Sequence, residues 1–223
     1  MKIVLFNSIK GGVGKSTLSA HLVSFLYNQG YKVALMDCDT QGSLKNWYYR
    51  YSDNYQSDLN DLKFRFPFIS NDYLNQIDEL KELPLDFLVV DSSGSDSQAG
   101  RLLTIYADIL LSPLRPCQVD LDTVLEHNSL IEESKKINTT LKSFYFLNGC
   151  STHYFDRDRK EVLEILKLID KEQNLSSVVL DEFISSRKSI VSSFNDGIDY
   201  FLDNSKGTFE LNKLFKKIIG ECK

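Results

Sequence analysis

Proline is scarce in this chain, four residues in 223, and glycine numbers only eleven. Neither a proline-rich spacer nor a flexible low-complexity tract is present. The four cysteines, Cys38, Cys117, Cys150 and Cys222, stand far apart with no C-x-x-C spacing. A disulfide framework or a zinc site therefore has no support, and reduced thiols are expected. The three histidines, His21, His127 and His153, make no metal spacing and no triad; surface or helix-packing roles are expected for them. No apolar run approaches the roughly 20 residues that span a bilayer, and with a first strand expected almost at Met1 no signal peptide is expected. The expected compartment is the cytoplasm. Positive charge is also short: 31 acidic residues face 26 basic ones, for a net charge of −5. That argues against a surface coated in basic groups, though a local basic patch on one face stays open.

What is present is ordinary in bulk and specific in pattern. Hydrophobic residues make up 42% and charged residues 26%, as in a soluble globular protein. The length suits one α/β domain over residues 1–223 with a real core. Apolar strand-like runs alternate with helix-period segments throughout. This predicts a mostly parallel, twisted β-sheet flanked by helices on both faces. Strands are expected at Ile3–Asn7, Lys32–Asp37, Phe64–Phe68, Phe87–Asp91, Ile109–Pro113, Ser143–Asn148 and Ser177–Leu180. Runs such as Phe87-Leu88-Val89-Val90 are continuous, as strands covered on both sides require. Helices are expected over about 15–29, from near Gly42 through Trp47, and over 72–80, 97–107, 120–137, 157–172, 187–196 and 208–219. The polar, tyrosine-rich stretch Tyr48–Leu62 reads as a loop or insertion.

Residues 10–17 read Lys-Gly-Gly-Val-Gly-Lys-Ser-Thr, directly after Ile3-Val4-Leu5-Phe6. An apolar strand, a glycine-rich loop and a helix start make a phosphate cradle. Backbone N–H groups of Gly11, Gly12, Val13 and Gly14 can turn onto phosphate oxygens, and the helix adds its positive end. Lys15 supplies a cation for the β- and γ-phosphates, and Ser16, followed by Thr17, offers a hydroxyl to Mg²⁺. The expected ligands are a nucleotide and Mg²⁺.

Two departures from the plain P-loop stand out. Ile9 occupies the place of the first glycine, and a second lysine, Lys10, opens the glycine run. In this the octet resembles the ParA/MinD family of deviant-Walker P-loop ATPases, whose loop reads Lys-Gly-Gly-x-Gly-Lys-Ser/Thr-Thr. The resemblance implies a P-loop NTPase fold and a Lys10 that reaches across an ATP-dependent homodimer to the partner's nucleotide. It also gives roles to the strand ends. Asp37-Cys38-Asp39-Thr40-Gln41 is similar to the family's Asp-x-Asp-Pro-Gln, with Thr40 replacing proline. Asp39 would then position the attacking water and touch the Mg²⁺ water shell, while Asp37 orders the loop; helix N-capping is the alternative for both. The strand Phe87–Asp91 is of Walker B type, so Asp91 would hold Mg²⁺ through water. Gly94 lets the next loop swing when the γ-phosphate is lost. By the same resemblance Pro116 and Asn148 hold the adenine, an Asn amide offering both a donor and an acceptor. Gly149 and Cys150 stand where the family often has arginine.

The run Ile184-Ser185-Ser186-Arg187-Lys188-Ser189 and the segment Ser43-Leu44-Lys45-Asn46-Trp47 resemble the small plasmid-partition ParA proteins of the ParF kind. That branch implies ATP hydrolysis coupled to DNA partition, non-specific DNA binding and a ParB-like centromere-binding adaptor, with the nucleoid as the surface. Arg187 and Lys188 are the expected DNA contacts, followed by Lys135, Lys136 and Lys142, since phosphate binding needs only a few charges on one face. Two alternatives stand beside it. One is a MinD-like membrane-cycling ATPase positioning a cellular structure, using the amphipathic 208–219 segment; the same spacing also suits a helix docked on the sheet. The other is an ATP-dependent metabolic or iron–sulfur carrier relative, which the absence of C-x-x-C disfavours.

Overall fold

The computed structural model describes residues 1–55, 62–65, 72–94, 97–153 and 157–220. Within them, strands and helices alternate in the order β1 (Lys2–Phe6), α1 (Lys15–Asn28), β2 (Val33–Asp37), α2 (Ser43–Asn54), β3 (Leu62–Arg65), α3 (Tyr73–Lys81), β4 (Phe87–Asp91) and α4 (Gln98–Tyr106). Then come β5 (Ile109–Leu114), the short α5 (Gln118–Leu121), α6 (Val124–Ile137), β6 (Lys142–Cys150), α7 (Arg157–Gln173), β7 (Val178–Ser185), α8 (Lys188–Asp196), a 3₁₀ turn at Tyr200–Leu202 and α9 (Lys206–Gly220).

The seven strands form one sheet in the order β3-β2-β4-β1-β5-β6-β7, and every neighbouring pair is parallel. A strand buried on both faces sends alternate side chains to opposite layers. Val4 and Phe6 of β1, Val33 and Leu35 of β2, and Phe87 and Val89 of β4 enter one core with α1, α2, α8 and α9. Ile3 and Leu5, Ala34 and Met36, and Leu88 and Val90 enter the other, with α3, α4, α6 and α7. Helices thus cover both faces, as the alternating pattern predicts. Each fully buried large apolar side chain contributes about 1.5–3 kcal/mol, so this double core is the main source of stability. The chain reverses its direction of winding at β1, between β4 and β5, and there the carboxyl ends of the strands open a crevice.

Several boundaries differ from expectation. The tyrosine-rich stretch is helical through Asn54, inside α2. Trp47 and Tyr51 stack at 4.8 Å, and Tyr51 and Tyr55 at 4.7 Å, so the aromatics at i, i+4 make a packed stripe; residues 56–61 lie outside those described. The strand expected at Phe64–Phe68 is found at Leu62–Arg65, with 66–68 also outside them. The helix expected over 120–137 breaks after Leu121. Asp120 turns its carboxylate onto Arg115, and the Thr123 hydroxyl bonds the Asp120 carbonyl at 2.8 Å. Strand β7 runs on to Ser185 through Asp181 and Glu182, a polar stretch tolerated because β7 is the sheet edge.

Helix α9 is docked. It buries Leu211, Leu214, Phe215, Ile218 and Ile219, while Lys213 and Lys217 pair with Glu182 of β7 at 3.5 and 2.8 Å. His21 and His127 are packing residues, as expected. His21 Nε2 lies 3.1 Å from the Ile190 carbonyl, and burial lowers its pKa to about 4. His127 Nδ1 lies 3.0 Å from the Tyr145 hydroxyl. No helix among the described residues is long and apolar enough to cross a membrane.

Candidate nucleotide site

The phosphate loop joins β1 to α1 at the reversal point of the sheet. Helix α1 begins at Lys15 behind Gly14, with no side-chain cap and no acidic residue in its first turn. Its first N–H groups are left without the usual cap and are directed at the loop, the arrangement that receives an anion. Gly14 is favoured by its conformation, with a φ of +91°, and a Cβ there would also stand 2.4 Å from Asn148 Nδ2 and push that side chain aside.

Lys15 is buried, and its ammonium is held inside the loop. Nζ donates to the Ser8 hydroxyl and to the Lys10 carbonyl, both at 3.2 Å, and the Ser8 hydroxyl donates to the same carbonyl at 2.9 Å. Burial draws its pKa below the usual lysine value, opposed by the carboxylates of Asp91 and Asp39. The Lys10 side chain has no hydrogen-bond or ion-pair partner among the described residues, so only its carbonyl serves the loop.

Three aspartates converge from β2 and β4, whose ends Asp37 and Asp91 are in register. Asp37 is a loop-ordering group. Its Oδ1 accepts from the Asp39 N–H at 3.0 Å, and Oδ2 from the Lys45 N–H at 2.8 Å, near the start of α2. Its pKa is raised by burial, against the pull of those bonds. Asp39 is partly exposed; Oδ1 accepts from the Gln41 N–H at 2.9 Å in a local turn. Asp91 is different. It is fully buried, and neither carboxylate oxygen has a hydrogen-bond partner. Burial raises its pKa to about 7; the nearby Ser16 hydroxyl and Lys15 pull it down, and Asp37 and Asp39 push it up.

An orphaned buried carboxylate beside the hydroxyl of Ser16 fits a hard divalent cation such as Mg²⁺, which takes oxygen ligands and needs only one or two carboxylates. The residues present therefore suit the metal the loop implies. Gly94 closes the site from the β4 side. A Cβ on it would stand 2.7 Å from Gly11 Cα and 3.0 Å from Lys15 Nζ, so the two loops touch through bare backbone.

From the phosphate loop an open cleft of about 520 Å³ extends toward the ends of β6 and β7, walled by Gly12, Val13, Arg115, Asn148, Ser186 and Arg187 among others. Asn148 Nδ2 donates to the Val13 carbonyl at 2.7 Å, which brings this residue to the phosphate loop. Pro116 is not in the cleft wall; its neighbour Arg115 is, with its guanidinium on the buried Asp120 carboxylate at 2.7 Å.

The residues expected to contact DNA are scattered. Arg187 sits in the cleft wall, with its side chain largely buried against Glu210 at 2.7 Å. It is not the free surface charge at a helix start that the sequence suggests. Lys188 is exposed. Lys142 opens β6 at the amino edge of the sheet, opposite the phosphate loop, and Lys135 there bonds the Ser176 carbonyl. Three site residues escaped sequence reasoning. Ser8 was readable as the hydroxyl just ahead of the loop and Arg115 as part of the Pro113–Pro116 turn, whereas Glu210 carries no local signal.

Strand, uncapped helix, paired lysine carbonyl and orphaned aspartate define a P-loop nucleotide site of the kind that takes ATP and Mg²⁺. Residues 4–199 match the family model described as the CobQ/CobB/MinD/ParA nucleotide binding domain. The chain belongs to that family, whose P-loop architecture is that of ATP-binding and ATP-hydrolysing enzymes. It is 33% identical over 144 residues to maintenance of carboxysome distribution protein A from Halothiobacillus neapolitanus, covering 63% of each chain. The match thus spans less than two thirds of that relative's length. Its fold resembles the MinD cell division protein of Aquifex aeolicus, with a TM-score of 0.74 and 19% identity over 99% of this chain and 97% of that one. It also resembles a plasmid partition protein of Borrelia burgdorferi bound to AMPPNP, with a TM-score of 0.70 and 21% identity over 100% and 99%. These relatives span several branches and do not single out plasmid partition.

Proposed function

We propose that the protein is an ATPase that positions a cellular body, working as two copies joined by ATP and parted by its hydrolysis. The observation that carries this reading is the Lys10 ammonium. It stands on the phosphate loop without a partner among the described residues, while its own carbonyl holds Lys15. A cation so placed is available to the phosphates of a second copy, as the resemblance to deviant-Walker ATPases implies.

Within one copy, Lys15 and the first-turn N–H groups of α1 would draw charge from the phosphates. Ser16 and Asp91 would hold Mg²⁺, which when bound neutralises negative charge on the β- and γ-phosphates. Asp39, the least enclosed of the three carboxylates, would orient water. Phosphoryl transfer depends chiefly on such positioning and charge stabilisation.

The relatives are named for carboxysome distribution, cell division and plasmid partition; placing a large object within the cell is what these names share. DNA partition with a ParB-like adaptor is one version. It has less support from the residues first expected to touch DNA, because Arg187 is ion-paired and Lys135 is tied to a carbonyl. A membrane-cycling version would need a segment other than α9, whose apolar stripe faces the sheet.

Light scattering of the purified protein with Mg²⁺ and a slowly hydrolysed ATP analogue tests the core of the proposal. A doubling of mass that needs nucleotide supports it; a monomer at saturating nucleotide overturns it. Co-sedimentation of the same sample with plain duplex DNA and with anionic vesicles then identifies the surface. Binding to neither, without dimerisation, would favour a metabolic or carrier role.

A further inference from the structure

Part of the cleft wall is the Ser185-Ser186-Arg187 turn between β7 and α8, and α9 holds this turn from behind. One carboxylate makes three bonds to it. Glu210 Oε2 accepts from the Ser185 N–H at 2.9 Å. Glu210 Oε1 accepts from the Ser185 hydroxyl at 3.0 Å and from Arg187 Nη2 at 2.7 Å. The two charged side chains are only 22% and 16% exposed. Arg187 Nε is buried with no acceptor, so the guanidinium relies on Glu210 for its pairing. Gly207, three residues earlier on α9, leaves space for the arginine: a Cβ there would stand 3.0 Å from Arg187 Cδ. On its other side the turn shares the cleft with Gly12, Gly14 and Asn148. With phosphates at the uncapped start of α1, a nucleoside in the same cleft would lie toward the Ser185–Arg187 wall.

We propose that Glu210 is a positioning residue for the nucleoside half of the site, holding Arg187 and its turn in place against base and ribose. Base ring nitrogens and ribose oxygens are acceptors, and a guanidinium fixed in one orientation is a suitable donor to them. Glu210 touches no ligand itself; it acts through the turn. Charge-assisted bonds of this kind are short and strong when shielded from water, and together they bind the last helix to the ligand cleft. The inference rests on the nucleotide reading of the phosphate loop and adds to it the element that organises the other end.

Titration calorimetry with Mg²⁺ separates the two halves by comparing ATP with inorganic tripolyphosphate, which has no nucleoside. Glu210→Gln should raise the ATP dissociation constant about tenfold, the weight of one charge-assisted bond, and leave tripolyphosphate binding unchanged. Arg187→Ala should do the same. The double variant should be no worse than Arg187→Ala, because the two residues act as one unit. Equal losses for both ligands, unchanged ATP binding in Glu210→Gln, or additive losses in the double variant would overturn the proposal. Should Glu210→Gln fail to fold, Ser185→Ala removes one bond and keeps the ion pair. It should show a smaller loss confined to ATP, and no loss would count against the proposal. A wild-type protein that binds neither ligand would instead refute the nucleotide reading itself.

Discussion

Replacing Asp91 with asparagine should stabilise the ligand-free protein, and by more at high pH than at low. Burial raises the Asp91 pKa from the ordinary 3.8 to about 7. Between pH 4 and 7 the unfolded chain has released this proton and the folded chain still holds it, so stability falls as pH rises through that window. Above about pH 7 the folded protein carries an ionised, buried carboxylate whose cost Ser16 and Lys15 only partly offset. A shift of about 3 units corresponds to about 4 kcal/mol, at 1.36 kcal/mol per unit. By pH 5 only about 1 unit of that separation, or 1–2 kcal/mol, has developed. The gain from Asp91→Asn should therefore be about 3 kcal/mol larger at pH 8 than at pH 5. The buried amide has its own desolvation penalty, but this is the same at both pH values and cancels in the comparison. Urea unfolding of wild type and variant at the two pH values, without Mg²⁺ or nucleotide, measures the difference. A parallel run with Mg²⁺ and ATP should stabilise the wild type far more than the variant. An equal gain at pH 5 and pH 8 would refute the claim that an ionisable, uncompensated carboxylate lies at the end of β4.

Other substitutions probe the remaining parts of the site. Lys10→Ala should keep nucleotide affinity in the monomer and lose the nucleotide-dependent dimer seen by light scattering. Asp39→Ala should bind ATP near normally and turn it over at least tenfold more slowly, as phosphate-release assays would read, because a group that only orients water matters in the transition state. Gly94→Ala places a Cβ 2.7 Å from Gly11 Cα. Backbone against backbone leaves little room to yield, so thermal unfolding should show a loss of about 1–3 kcal/mol, with weaker ATP binding from the displaced loop.

The residues proposed for the phosphate half of the site carry local signals in the sequence. Lys10 to Thr17 follow one another, and Asp37 and Asp91 each end a run of strand residues. The parallel sheet was legible for the same reason, since alternation and continuous apolar runs are short-range signals. The nucleoside half was not. Arg187 looks like a surface charge opening a helix, and only the fold brings Glu210, 23 residues on, against it. Arg115 is likewise held by Asp120 through a break that divides the expected 120–137 helix. The helix through Tyr48–Asn54 is another kind of miss. Trp47, Tyr51 and Tyr55 carry a clear i, i+4 spacing, whereas the polar tyrosine-rich composition around them argues for a loop.

The two charged pairs of the cleft are built on opposite principles. At the phosphate end, Lys15 and Asp91 lie near enough to shift each other's pKa, yet no hydrogen bond joins them. Ser8 and the Lys10 carbonyl hold the ammonium instead. Were Lys15 to close on Asp91, the fold would be more stable, but the cation would be withdrawn from phosphate and the carboxylate from metal. Keeping them apart leaves the Asp91 oxygens without a hydrogen-bond partner and the ammonium held only by neutral groups, so an arriving cation and anion would add stability. At the nucleoside end, Arg187 and Glu210 are already closed on each other and neutral as a pair. That end needs shape and fixed donors rather than unsatisfied charge, because base and ribose bring no net charge to balance. Removing Asp91 is therefore expected to stabilise the ligand-free fold while weakening ligand capture. Removing Glu210 leaves Arg187 buried and unpaired, which costs stability and nucleoside binding together.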